Sequence, residues 1–173
     1  MPAFAISRVR FFWVTLFFVW LQLTIVPFLK IQGLQPDLLC LLVVFLAFTL
    51  RCRNLEIIAF SAGAAKDLLV HTVFGLEIAS LVCAAVVLKR LVHSLEQEDL
   101  FLQMGMVFVY SFSSLIFFHG LSFLLQQSYG SLSILVAKSA AIALYTAFLT
   151  PPVFVFLRFI FALRPHERQY ELF

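Results

Sequence analysis

The chain has 173 residues, of which 63% are hydrophobic and 12% charged, against about 45–50% apolar and about 25% charged in soluble globular domains. A chain so apolar cannot cover itself with polar surface, which excludes a soluble enzyme or carrier and leaves lipid as the remaining solvent. The net charge of +3 comes from basic residues scattered singly between hydrophobic runs, not from the clustered patch that a nucleic-acid backbone requires. The length suits one domain, 1–173. Cys40, Cys52 and Cys83 stand apart in sequence, with no paired spacing and an odd count, and read as buried, inert thiols rather than a disulfide framework or metal set.

Crossing about 30 Å of hydrocarbon takes roughly 17–25 helical residues at about 1.5 Å each. Six apolar segments are candidates: 11–29, 34–50, 55–70, 73–88, 100–125 and 134–157. The first follows Arg8 and Arg10 as a signal peptide would. It is longer than an h-region of about 7–15 residues and lacks a small-residue cleavage site, so it reads as a retained span. Pro27 and Gly33 separate it from the second segment. There Pro36 suits the first helical turn, and Asp37 faces the positive end of the helix dipole. Arg51, Arg53 and Asn54 make a tight polar turn before the third segment. Residues 89–99 form the longest polar stretch, with an acidic run from Glu96 to Asp99, and Gly130 marks the turn before the last segment.

Six crossings put both termini on one side. Arg8, Arg10, Arg51, Arg53, Lys89, Arg90, Arg158, Arg164 and Arg168 fall on that side, and Lys30, Lys66 and Lys138 on the other, nine against three of the twelve basic residues. By the positive-inside rule the termini are cytoplasmic. Lys66, Asp67, Glu77 and Lys138 then gather toward the outer leaflet, with charges that sum to zero. Such residues face a bundle interior or a wet cavity, because a charge at mid-bilayer costs about 2.5–3.5 kcal/mol even on the mildest scale. The small residues Ser61 to Ala65 and Ser139 to Ala141 allow close backbone approach, the main source of helix association in lipid. They place the third and sixth helices in the bundle interior.

The side chains offer little chemistry. Asp37 and Asp67 near one surface would suit an aspartyl dyad like that of lipoprotein signal peptidase, but Asp67 has Lys66 and Glu77 as neighbours and the enzyme's Asn/Ala-rich surroundings are absent. His71, His93, His119 and His166 lack metal-ligand spacing. No GxSxG elbow or glycine-rich phosphate loop occurs. No cofactor and no enzymatic activity are expected.

One pattern stands above this background. Gln35-Pro36-Asp37-Leu38-Leu39 opens the second helix. The third reads Gly63-x-x-x-Asp67, with Gly75-Leu76 eight residues beyond the aspartate, and near the end comes Leu144-Tyr145-Thr146-Ala147-Phe148-Leu149-Thr150-Pro151-Pro152, followed by apolar residues and Arg158. In this order the chain resembles the rod shape-determining protein MreD family over nearly its whole length. It departs from the family at His71, where many members have a second glycine, and in the charges of Lys66 and Glu77. The resemblance implies an all-α, six-span protein of the bacterial cytoplasmic (inner) membrane, similar in fold to the substrate-binding subunits of energy-coupling-factor vitamin transporters. It implies a non-catalytic role in lateral cell-wall synthesis. The implied partners are an MreC-like protein, the actin-like MreB, and the membrane-embedded peptidoglycan glycosyltransferase and transpeptidase. Pro36 and Asp37 would set the start of the second helix, Gly63 close packing, Asp67 a buried polar anchor and Gly75 a turn, with Lys66 and Glu77 completing the polar group. The rival reading, a vitamin-binding transporter subunit, would make that group a ligand site.

Overall fold

A computed structural model describes residues 8–31, 33–50, 55–69, 74–92, 100–125 and 132–161. These described residues form seven α-helices in order: α1 Arg8–Thr24, α2 Leu38–Leu50, α3 Leu55–Leu69, α4 Leu76–Val92, α5 Leu100–Leu124, α6 Leu132–Phe148 and α7 Thr150–Ile160. A 3₁₀ turn, Val26–Leu29, extends α1, and an isolated bridge between Ile31 and Leu34 closes around Gly33 at φ 85°. No strand occurs among the described residues. Each of the six apolar segments is helical, and the last is two helices rather than one. Pro151 and Pro152 have no N–H to return to the carbonyls of Ala147 and Phe148, so the helix breaks there and α6 and α7 meet at a bend of 49°.

The centre of the bundle is α2. Every residue from 38 to 48 is buried, and α1, α3, α4, α5 and α7 all pack against it. A helix apolar on all sides is stable only when enclosed on all sides, and LLCLLVVFLAF has no polar face to offer. This corrects the expectation that α3 and α6 are the interior helices. Their small residues do face inward (Ala59, Ala62, Ser139 and Ala143 are buried), but Ile57, Phe60, Leu144 and Phe148 look outward. Phe45 of α2 fits between two α7 rings, 5.2 Å from Phe154 edge-on and 5.9 Å from Phe161 stacked. Phe17 of α1 meets Phe156 of α7 at 6.1 Å, which joins the first and last helices.

Among the described residues α5 alone is a single helix long and apolar enough to cross a membrane, and the bent α6–α7 pair qualifies if taken as one span. The other helices are short. Tyr110 of α5 donates its hydroxyl to the Leu81 carbonyl of α4 at 3.3 Å, so these residues are level. From that level α5 continues to Leu124 and α4 reaches back only to Leu76, which at about 1.5 Å per residue leaves α5 roughly 13 Å longer. Burial agrees: beyond Ser114 only Ser122 of α5 is buried, and no described side chain of α6 is buried before Ser139. The far half of the α5–α6 hairpin overhangs the ends of α2, α3 and α4. Around the whole bundle large apolar side chains face outward, with Phe28 and Phe101 both 88% exposed and Phe159 84%.

The tightest seam lies between α3 and α4. A Cβ built on Gly63 would come within 2.6 Å of Ile78 Cα, closer than any real contact, so only glycine fits. Gly63→Ala is expected to push the helices apart and cost about 1–3 kcal/mol by overpacking. Gly105, on α5, has open space where its Cβ would be. Gly105→Ala serves as the control that should leave thermal unfolding in detergent unchanged while Gly63→Ala lowers the midpoint.

Candidate functional site

Polar groups converge where α2 and α4 begin and α3 ends. Asp37 stands at the N-cap of α2, one residue before its first turn and not inside it, with Pro36 preceding the cap. Its Oδ1 accepts the backbone N–H of Leu39 and of Cys40, both at 3.1 Å, which satisfies two of the donors that a helix start leaves open. Its Oδ2 accepts Lys66 Nζ at 2.7 Å and the Cys40 thiol at 3.2 Å. The same ammonium donates to Glu77 Oε2 at 2.9 Å. Each of the three charged side chains is 12% exposed. One cation from α3 thus holds two anions, one at the start of α2 and one in the first turn of α4.

Asp67 does something different. It was expected to balance Lys66, yet its carboxylate turns to α4 and accepts three backbone N–H groups, from Gly75 at 2.9 Å, Glu77 at 3.1 Å and Ile78 at 3.3 Å. A side chain of α3 therefore caps α4 from outside it. Gly75 makes this geometry available at φ 101°, in the left-handed region that glycine enters without penalty. The expected start of the fourth helix at residue 73 moves to Leu76 for this reason. Glu77 also lies where a negative charge meets the positive end of the helix dipole.

Two further helices reach the same place. The Asp37 backbone N–H donates to Thr146 Oγ1 of α6 at 3.1 Å. Gln22 of α1 accepts the Leu38 N–H through Oε1 at 3.0 Å and donates from Nε2 to the Pro36 carbonyl at 3.3 Å. Nothing in the sequence pattern singled out Gln22, and Thr146 stood only as one residue of the Leu144–Pro152 stretch, with no partner assigned. They lie 16 and 109 residues from their partners, and only the fold reveals them.

The site thus unites Pro36, Asp37, Lys66, Asp67, Gly75 and Glu77, with Gly63 one turn before the charged pair of α3. Two expectations are corrected. Lys138 is exposed on α6 and forms no ion pair among the described residues. Asp37 takes its place, and Asp37, Lys66, Asp67 and Glu77 sum to −2 rather than to neutrality. Cys40 is buried as expected, but Cys83 is exposed, since α4 turns that face outward. His119 of α5 is partly buried; His71, His93, His166, Cys52 and residues 96–99 lie outside the described residues. At the opposite end of the α3–α4 pair, Lys89 meets Glu56 at 2.6 Å on the surface, so these antiparallel helices are clamped at both ends.

Chemically, the arrangement is closed. Both oxygens of Asp67 accept backbone donors, and both oxygens of Asp37 are engaged elsewhere. The two aspartates therefore have separate partners and do not share a proton as a peptidase dyad does. Among the described residues no three His, Cys, Asp or Glu side chains are arranged to hold a metal ion. Compared with known proteins, the chain matches no family model, no curated sequence and no solved structure.

The cost of breaking a buried ion pair lies mostly in the charge left behind, about 3–5 kcal/mol. Lys66→Met strands two carboxylates at once. It is expected to be the most destabilising single change in the site, whereas Lys66→Met combined with Asp37→Asn and Glu77→Gln should recover most of the loss. Thermal unfolding of the four purified proteins, the native chain and Lys66→Arg included, checks the order. A triple variant as unstable as Lys66→Met would show that charge stranding is not the cause.

Proposed function

We propose that the protein is a non-catalytic scaffold subunit of the bacterial rod elongation complex, of the MreD kind, embedded in the cytoplasmic membrane by six crossings with both termini inside. The observation that carries this reading is the convergence of its distant motif elements. Pro36-Asp37, Gly63-x-x-x-Asp67 and Gly75, spread over some forty residues of sequence, come together to join α2, α3 and α4. In a scaffold, such residues fix the shape of a helix surface. Their hydrogen bonds are spent on the protein's own backbone and on one another, which favours a structural role over turnover or ligand capture.

In this reading α6 and α7 together make the last crossing, and the overhang of α5 and α6 faces outward. The α2–α4 block is then shorter than the bilayer, a mismatch met by local thinning or by flanking protein. The polar group sits roughly 13 Å below the end of α5 at Leu124, deeper than the outer surface to which sequence alone assigns it. The outward apolar faces are the surfaces available to lipid and to the spans of an MreC-like protein and of the synthases.

Reporter fusions after Arg53, Leu95 and Phe173 are expected to read cytoplasmic, and fusions at Gln32 and Tyr129 external. A cytoplasmic signal at Tyr129 would overturn the six crossings. Tagged protein purified in mild detergent should bring down an MreC-like protein and synthase subunits; recovery of a pair of ATPases would favour a transporter instead.

Asp67 separates scaffold from catalyst. Asp67→Asn keeps one of the two acceptor oxygens, enough for the Gly75 and Ile78 N–H groups, and gives up the bond from the Glu77 N–H, so most of the α4 cap survives without the charge. It should therefore restore rod shape in cells depleted of the native protein, whereas Asp67→Leu should fail and lose its partners. Failure of Asp67→Asn at normal membrane levels, with partner binding intact, would point to chemistry at this carboxylate.

A further inference from the structure

The central helix raises a problem that packing alone does not solve. From Leu38 to Phe48, α2 is Leu, Val, Phe, Cys and Ala with every side chain buried. A cylinder apolar all round, inside an apolar ring, loses little transfer energy on shifting by one residue, a move of about 1.5 Å with about 100° of rotation. Apolar cores with the right volume but no specific contact lose uniqueness before they lose stability. At its N-terminus α2 is tied to three other helices: Asp37 Oδ2 to Lys66 of α3, the Asp37 N–H to Thr146 of α6, and Pro36 and Leu38 to Gln22 of α1.

We propose that this end is a register lock, and that the Asp37–Lys66 ion pair is its dominant part. The neutral bonds on either side are single and near 3.0–3.3 Å. The ion pair at 2.7 Å is charge-assisted, the stronger class of bond. Moving α2 by one residue separates Asp37 from Lys66 and leaves a buried charge without its partner, the penalty that apolar packing does not supply. A buried polar contact that selects one register of an otherwise permissive apolar seam has precedent in coiled coils. Because Lys66 also holds Glu77, the lock sets α2 against the α3–α4 pair rather than against α3 alone. An agent that competes for Lys66 at this end would release the core helix and displace Phe45 from its place between Phe154 and Phe161. The inference rests on the fold and not on the scaffold role, so either can fail without the other.

The experiment places 4-fluorophenylalanine at position 45 and reads its ¹⁹F spectrum in detergent. Gln22→Leu with Thr146→Val removes the neutral ties. In that background the chain retaining Asp37 is expected to give one resonance at the native shift. Adding Asp37→Asn keeps an N-cap for α2 and leaves Lys66 paired with Glu77, so no charge is stranded. It is expected to give a second resonance with about a tenth or more of the intensity, at the upper end of a minor state's population. A single native resonance from both proteins would mean that packing sets the register. Splitting already in the Asp37-containing background would mean that the ion pair is not dominant. Loss of the folded state on adding Asp37→Asn, read by thermal unfolding, would show the contact to be needed for folding itself. Each of these three results overturns the proposal.

Discussion

An ammonium buried inside a chain this apolar must find its counter-charge within the protein, and Lys66 finds two. The lengths and starting points of α2 and α4 follow from that demand. Asp37 reaches Lys66 only if α2 begins at Leu38, and Glu77 reaches it only if α4 begins at Leu76. Asp67, the next residue along α3, then faces the other way and closes the exposed N–H groups of α4. Two consecutive residues at the end of one helix therefore fix the beginnings of two others. The Gly63 contact with Ile78 is the geometric condition for both, because the backbones must approach this closely for a short aspartate to span the gap.

The helical class and the six apolar segments were legible because hydropathy is a property of runs of residues, and runs are visible in a sequence. The individual parts of the site were legible for a similar reason. Pro-Asp before an apolar run is an N-cap signal, Gly-x-x-x-Asp places two residues one turn apart on a helix, and Gly75 precedes a helix start. The pairing was not legible. Sequence proximity suggested Lys66 with Asp67, but adjacent residues on a helix point about 100° apart, and the partners lie 29 and 11 residues away in Asp37 and Glu77. Lys138 was drawn into the cluster by charge arithmetic alone, which knows nothing of which face of α6 turns inward.

Small residues misled in an instructive way. Alanine, glycine and serine mark where two backbones come close, and they do so on α3 and α6. Closeness to one neighbour is not enclosure by all. Enclosure has a different signature, the absence of any polar or small face, and α2 carries it in eleven consecutive buried positions. The break between α6 and α7 was not read, because hydropathy runs unbroken through Thr150-Pro151-Pro152 and makes 134–157 one segment. Nor was what the break accomplishes: it lets α7 run beside α2 so that Phe154 and Phe161 flank Phe45.

The unequal helix lengths bear on how charge and membrane are reconciled. In the six-crossing reading proposed above, segments all as long as α5 would put the beginnings of α2 and α4 at the membrane surface, where Asp37, Lys66 and Glu77 could be hydrated and the ion pairs would be worth little. Because α2 to α4 stop short, the same residues lie beneath the overhang of α5 and α6, with most of their surface removed from solvent. There a mismatched charge is costly and a matched one is specific. Shortness of the central helices, burial of the triad and the apolar run of α2 from Leu41 to Phe48 are thus linked: side chains in that run make no polar contact of their own, so the contacts at the N-terminal end weigh more, and they gain their specificity from depth.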